Sequence, residues 1–340
     1  MKTSKLLFFL LSLGNICFAQ NLPHIRIVEN PIAKEARVYI GDSLFTALLY
    51  ADSLKKHVLY PINAAGGTSI TRGYPIKPAI GDQIDHPHQI GLWLNYGDVN
   101  GADYWNNSTK IDSTKKAYGT IKVSKVENIR NGNGEAELTV LATWYNPGAK
   151  AMLRERSKFT FRIQNNTRTI ERETHLEALS DILFKDNKEG MFALRVARQL
   201  EHPSGKRVKV YSDNKGTIKE VAAPNAVSGS YESSTGITGE KVFGTRSKWM
   251  KLSGNINQKP LALVIMDHPH NVNYPGFWMA RGYGLFAINP LGAEVYTNGK
   301  EKLNFSLKKG ESTVFKHKLV IGGQLSQSEI EQIYDSFSRN

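Results

Sequence analysis

Between residues 25 and 321 the chain is cut into short runs in which apolar and polar residues alternate, and that rhythm constrains the fold more than any other feature. Residues 25–28, 37–40, 44–49 and 57–61 read as strands, broken by Asn30-Pro31 and Gly41-Asp42. The rhythm returns at 119–126, 135–145, 153–163 and 169–176, and again at 190–198, 207–211, 242–252, 261–266, 283–288, 303–307 and 312–321. Asn131-Gly132-Asn133-Gly134 is a hairpin signal, because Asn and Gly accept the positive φ of tight turns, and Asn165-Asn166-Thr167 is a second turn. Residues 223–240 are polar and rich in Ser, Gly and Thr, as a long surface loop would be. Helical spacing belongs to the last residues: Ser326 and Glu329 form a capping-box pattern, followed by Ile330, Ile333, Tyr334 and Phe337. No Pro- or Gly-rich linker divides the chain. The expectation is all-β: one antiparallel β domain over residues 20–340, built as two stacked sheets or a barrel, with a short C-terminal helix.

Residues 1–19 stand apart. Lys2 and Lys5 precede the apolar run 6–13, and Cys17-Phe18-Ala19 places small residues before Gln20, the pattern of a cleaved secretory signal. The run is shorter than the roughly 18–20 residues of a membrane helix, and no later segment qualifies. The expected address is periplasmic or secreted, with lipidation at Cys17 as the alternative. Cys17 is the only cysteine, so the mature chain has no disulfide, thiol nucleophile or thiolate metal site. The loss of Lys2 and Lys5 takes the formal charge from +13 to +11. A basic exported protein meets acidic glycan or anionic lipid rather than nucleic acid, or is simply soluble.

Chemistry concentrates in residues 72–105. The segment holds Arg72, Asp85, His86, His88, Trp93, Asp98, Asn100, Asp103 and Trp105, with Gly91, Gly97 and Gly101 for tight turns. Asp267-His268-Pro269-His270 repeats Asp85-His86-Pro87-His88 letter for letter. The expectation is that the two tetrads meet in one site. A His beside an Asp is a pairing for moving protons: His86 or His88 would be the acid/base, and Asp98 or Asp103 its partner. Asp98 and Asn100 also fit a purely turn-forming role. Imidazoles two apart on an extended segment share a face, so His86 and His88, completed by His268, His270 or Asp98, could alternatively hold a divalent metal. Trp105 and Trp249 have polar neighbours and could stack on sugar rings, or simply pack in a core. Arg72, Arg195 and Arg246 are charged heads in apolar settings, each a clamp for substrate or a partner for a buried acid.

Residues 85–105 resemble the hallmark of the PmoA-like family ("methane oxygenase PmoA"), and Gly190-Met191-Phe192-Ala193-Leu194-Arg195-Val196, Gly244-Thr245-Arg246-Ser247-Lys248-Trp249 and residues 283–290 resemble its later blocks. The family often carries a third His where this chain has Gln89. Residues 283–292 and the run ending at 320 are similar to aldose-epimerase-like domains. That resemblance implies a galactose mutarotase-like β-supersandwich that binds sugar on a concave sheet. Asn289 stands near where the epimerase base, a Glu, is expected, so that base is missing here. The expected function is therefore an exported hydrolase, lyase or epimerase acting on a neutral or acidic glycoside without a cofactor. Arg72, Asn100, Arg195, Arg246, Trp249, His268, His270 and Asn289 would surround the substrate. A non-catalytic glycan-binding protein and a metal-dependent oxygenase are the alternatives.

Overall fold

The computed structural model describes residues 22–164, 166–222 and 227–339. The expected signal segment lies outside them. Among the described residues two large antiparallel sheets face each other, one of nine strands and one of eight. The first runs, in spatial order, Phe277–Trp278, Leu285–Asn289, Gly190–Arg195, Leu92–Tyr96, Val58–Ile62, Ser43–Leu49, Glu35–Ile40, His24–Asn30 and Gly132–Asn133. The second runs Ser230–Ser233, Trp249–Ile256, Lys259–Asp267, Ser312–Gly322, Thr167–Ala178, Ala151–Gln164, Glu135–Tyr145 and Thr120–Arg130. The expected large antiparallel β-sandwich with a short C-terminal helix is the observed fold.

Alternation decides which side chain goes where, because successive residues of a strand point to opposite faces. On Gly190–Arg195, Phe192 and Leu194 enter the core between the sheets, while Ala193 joins an outer cluster with Trp93, Trp105, Leu285 and Ala287. On Lys259–Asp267, Leu263 and Ile265 face the same core. Val264 and Met266 face outward and are covered by Ile330, Tyr334 and Phe337 of the helix Gln327–Ser338. Each such aliphatic or aromatic side chain contributes roughly 1.5–3 kcal/mol by leaving water. The helix starts as its sequence predicts: the Ser326 hydroxyl accepts from the Glu329 amide, and the Glu329 carboxylate accepts from the Ser326 amide at 2.8 Å. Away from the helix, the outer face of the second sheet carries cross-strand ion pairs, Arg162–Glu171 (3.1 Å), Arg156–Glu127 and Arg154–Glu177 (both 2.7 Å).

Three expectations change. Of the expected loop 223–240, residues 223–226 lie outside the described residues and the rest is not all loop: Ser230–Ser233 is an edge strand, pinned by Tyr231, whose ring packs against Phe286 in the core. One inward aromatic supplies the anchor that the polar composition conceals. Residues 242–252 do not form one strand. The strand proper is Trp249–Ile256, and before it the chain turns at Gly244 (φ 76°) so that Arg246 can fold back over the Phe277 ring. The α-helical turn Ala293–Tyr296 was not expected from spacing; four residues are too few to show a period. No helix among the described residues is long and apolar enough to cross a membrane.

Candidate active site: an arginine-clamped Asp–His pair

The site sits on the outer face of the nine-stranded sheet, where residues 83–90 cross the end of Gly190–Arg195. Gly91 makes the crossing possible. It adopts φ 54°, and a Cβ there would lie 2.2 Å from the Leu59 carbonyl oxygen. The Arg195 amide donates to the Gly91 oxygen at 2.9 Å, which fixes the loop against the strand.

Arg72 builds the loop. Its guanidinium donates to the carbonyls of Asp85 (2.9 Å), His86 (2.9 Å) and Gln89 (3.0 Å), and to the Asp85 carboxylate. Arg195 reaches the same carboxylate oxygen at 2.8 Å and donates to the Gln89 side chain at 2.6 Å. It also lies over the Tyr283 ring, 4.9 Å from its centre. Both arginines are at most 1% exposed. They clamp Asp85, 13 residues from Arg72 and 110 from Arg195 in sequence. Burial pushes the Asp85 carboxyl up. The His86 hydrogen bond and the charges of Arg195 and Arg72 outweigh this and hold it well below the usual carboxylate range.

The other Asp85 oxygen lies 2.6 Å from His86 Nδ1. His86 is 41% exposed, occupies the left-handed region at φ 41°, and stacks flat on Tyr283 (4.8 Å, 3°). His88 differs. It is buried, its Nδ1 has no hydrogen-bond partner, and burial together with the charges of Lys56 and His86 holds its imidazole neutral. Lys56 donates to the His88 carbonyl at 2.7 Å, and burial lowers its ammonium to about 7, against the opposing pull of Asp103.

Behind the clamp lies Glu201, 4% exposed, accepting from Gln83 at 2.6 Å and 4.0 Å from Arg195. Burial raises it to about 7 despite Arg195 and Arg198. Glu201, Gln83 and Lys56 were not singled out from sequence. A Glu following an apolar strand and a short turn was the available signal for the first.

Several expected site residues lie elsewhere. Asp98 caps its own turn through the Gly101 amide (2.8 Å), and Asn100 pins the strand Ile182–Phe184 through the Leu183 amide (2.6 Å). Asp103 accepts from Asn106 and Lys116, so neither Asp98 nor Asp103 orients a histidine. Trp105 and Trp249 are at most 1% exposed and cannot be platforms: Trp105 packs on Trp93, and Trp249 donates to Glu331 of the C-terminal helix. Arg246 is committed to Asn273 and the Pro275 carbonyl. Asn289 is fully buried, donating to the carbonyls of Asn187 and Lys188.

The two tetrads do not converge. His86 and His88 lie on the outer face of the first sheet, whereas His268 packs against Phe337 of the helix that covers the second. Asp267 turns inward, accepting from Asn271 (2.6 Å) and the Gly276 amide (2.8 Å). Of the four tetrad histidines, His86 neighbours His88 and His268 neighbours His270, so they form two separate pairs. Among the described residues no group of three or more His, Cys, Asp or Glu side chains is placed to hold a metal ion.

Fold and site together define a two-sheet antiparallel β-sandwich bearing an arginine-clamped Asp–His pair on one outer face. The chain belongs to the family of unknown function DUF6807, whose model matches residues 35–335; the PmoA-like resemblance is not confirmed by that match. A search of curated proteins finds no match. Among solved structures it is similar to the galactosidase domain of the α-galactosidase–sucrose kinase AgaSK (10% identity, TM-score 0.41, covering 88% of this chain and 42% of that one). It is also similar to the GH36 α-galactosidase AgaA from Geobacillus stearothermophilus in complex with stachyose (9%, 0.35, 88% and 41%). A third is a galactose mutarotase related enzyme from Lactobacillus acidophilus (11%, 0.28, 88% and 100%). The chain spans about two fifths of the length of the first two.

Proposed function

We propose that this is an exported carbohydrate-active protein in which His86, oriented by Asp85, moves a proton to or from an oxygen of a glycoside. One observation carries the reading. A half-exposed imidazole is hydrogen-bonded through Nδ1 to a carboxylate that two buried guanidiniums hold ionised. With Nδ1–H donating to Asp85, Nε2 is the nitrogen left to exchange a proton, as base when neutral and as acid when protonated. Asp85 stabilises the imidazolium without taking the proton, because the arginines keep it charged. His88, buried and neutral, is a packing residue in this scheme. The aldose-epimerase-like resemblance of residues 283–292 supports a sugar as the substrate. The N-terminal pattern supports export.

The test is turnover on a panel of glycosides and free aldoses by wild type, His86→Gln and His88→Gln. His86→Gln is expected to lose about 10²–10⁴-fold in kcat with the fold intact, while His88→Gln retains most of it. Unchanged turnover by His86→Gln removes the acid/base role. Saturable sugar binding with no turnover on any substrate replaces the enzyme with a glycan-binding protein.

A further inference from the structure

A concavity is lined by residues 77–82, which lead into the segment that carries the Asp–His pair. It is a groove of about 1500 Å³ between Tyr60, Asn63 and Thr71 on one wall and the hairpin of strands Arg207–Tyr211 and Ile218–Ala222 on the other. This hairpin pairs with neither large sheet. It is clipped to residues 81–84 instead, with the Gly81 amide donating to the Tyr211 oxygen (2.7 Å) and the Ile84 amide to the Lys209 oxygen (3.2 Å). The volume exceeds the roughly 300–1,000 Å³ of pockets for drug-sized ligands, so the groove suits a chain of several rings.

Its lining is chemically specific. Asn63, Gln199, Ser212 and Asn214 present amides and a hydroxyl, which pair with hydroxyl groups in either direction. The partly exposed Tyr211 ring and the exposed Ile80 supply apolar surface. At the base sits Arg198, 8% exposed. One guanidinium nitrogen donates to the Gly81 carbonyl at 3.2 Å, and Nε, fully buried, has no partner. The nearest acid of the lining, Asp82, is already taken by the amides of Tyr74 (3.0 Å) and Ala79 (2.9 Å). Among the described residues Arg198 has no ion pair. Lys77 adds a second positive charge at the rim. A guanidinium that lines the groove without an ion-pair partner matches a planar oxyanion such as a carboxylate.

We infer that this groove binds an acidic oligosaccharide, with Arg198 holding a uronate carboxylate and the amide-lined walls holding the neighbouring hydroxyls. The inference does not rest on the acid/base role of His86, whose side chain is not part of the groove.

Calorimetric titration of the full chain with uronate tetrasaccharides, and with neutral tetrasaccharides as controls, tests it. Saturable binding of a uronate ligand, weakened roughly tenfold or more by Arg198→Gln, is the expected result. If Arg198→Gln fails to fold, Asn214→Trp fills the groove from its exposed rim and is expected to weaken binding to a similar degree. His86→Gln is expected to bind the uronate as wild type does. Failure of every uronate to bind overturns the inference. So does equal affinity for neutral chains, binding indifferent to both groove substitutions, or loss of binding in His86→Gln.

Discussion

Arg195 Nη2 lies 2.8 Å from Asp85 Oδ1, across 110 residues of sequence. Arg72 donates to the same oxygen, so two buried guanidiniums share one carboxylate. Removing it strands both. Asp85→Ala is expected to cost about 2–4 kcal/mol in urea unfolding, toward the lower side of values for broken buried pairs because Asp85 is itself 30% exposed. Asp85→Asn keeps an acceptor and should cost less. The folded-state pKa of Asp85 is depressed, so its contribution is fully present above the unfolded value of about 3.9 and is lost as pH falls below it. The stability difference between wild type and Asp85→Asn should therefore shrink on acidification below about pH 4. A difference that is constant from pH 7 to pH 3 contradicts the clamp.

Glu201 runs the other way. Its 4.0 Å approach to Arg195 favours the charged form, but burial wins and raises it to about 7. A carboxyl whose folded pKa lies above its unfolded value of about 4.3 binds its proton more tightly when folded. Stability is then greatest below about pH 4 and declines as pH rises toward 7. Glu201→Gln removes that decline. The variant is expected to gain on the order of 3 kcal/mol relative to wild type between pH 4 and pH 8, read from urea midpoints at each pH. Parallel pH profiles for the two proteins would show that Glu201 is ionised in the fold.

The fold was legible because its signals are local. The Ser326/Glu329 box and the apolar spacing after it need only a few residues to act, and both appear as read. The strands Glu135–Tyr145 and Ala151–Gln164 are long enough for alternation to declare itself. The site was legible in half. Arg72 and Arg195 stood out as charges in apolar strands and do converge. Their partner is Asp85, 13 and 110 residues away in sequence, whereas Asp98 and Asp103, expected to partner the histidines, are consumed by turn chemistry. Glu201 reaches Gln83 from 118 residues away, a relation no spacing rule reveals. The twin tetrads misled for a physical reason. A tetrapeptide carries no information about which face of which sheet it ends on. Asp85 sits on an outer loop, Asp267 at the inward end of a core strand.

The second tetrad therefore has a structural role that Asn271 exposes. Its side chain donates to Asp267 (2.6 Å) and to the Lys316 carbonyl (2.8 Å), and accepts from the Lys316 amide (2.7 Å), tying the turn after Lys259–Asp267 to the neighbouring strand. Asn271→Ala leaves these groups unpaired in a buried setting and should cost about 2–3 kcal/mol. His270→Ala, on the exposed side of the same turn, should leave both stability and sugar turnover unchanged. Loss of turnover in His270→Ala at wild-type stability would return the second tetrad to the active site.

Trp105 separates packing from recognition. The ring is fully buried against Trp93 at 5.3 Å, and its Nε1 finds no hydrogen-bond partner. Truncation to Ala opens a large cavity beneath the loop of the Asp–His pair and is expected to cost about 3–5 kcal/mol. Trp105→Phe loses volume but also removes an unsatisfied buried donor, and the two effects oppose one another. It should therefore be much the milder change. If the ring only packs, sugar affinity measured well below the melting temperature stays within about twofold of wild type in Trp105→Phe. An affinity loss without a stability loss in that variant would mean that the loop opens in solution and lets the indole meet the ligand directly.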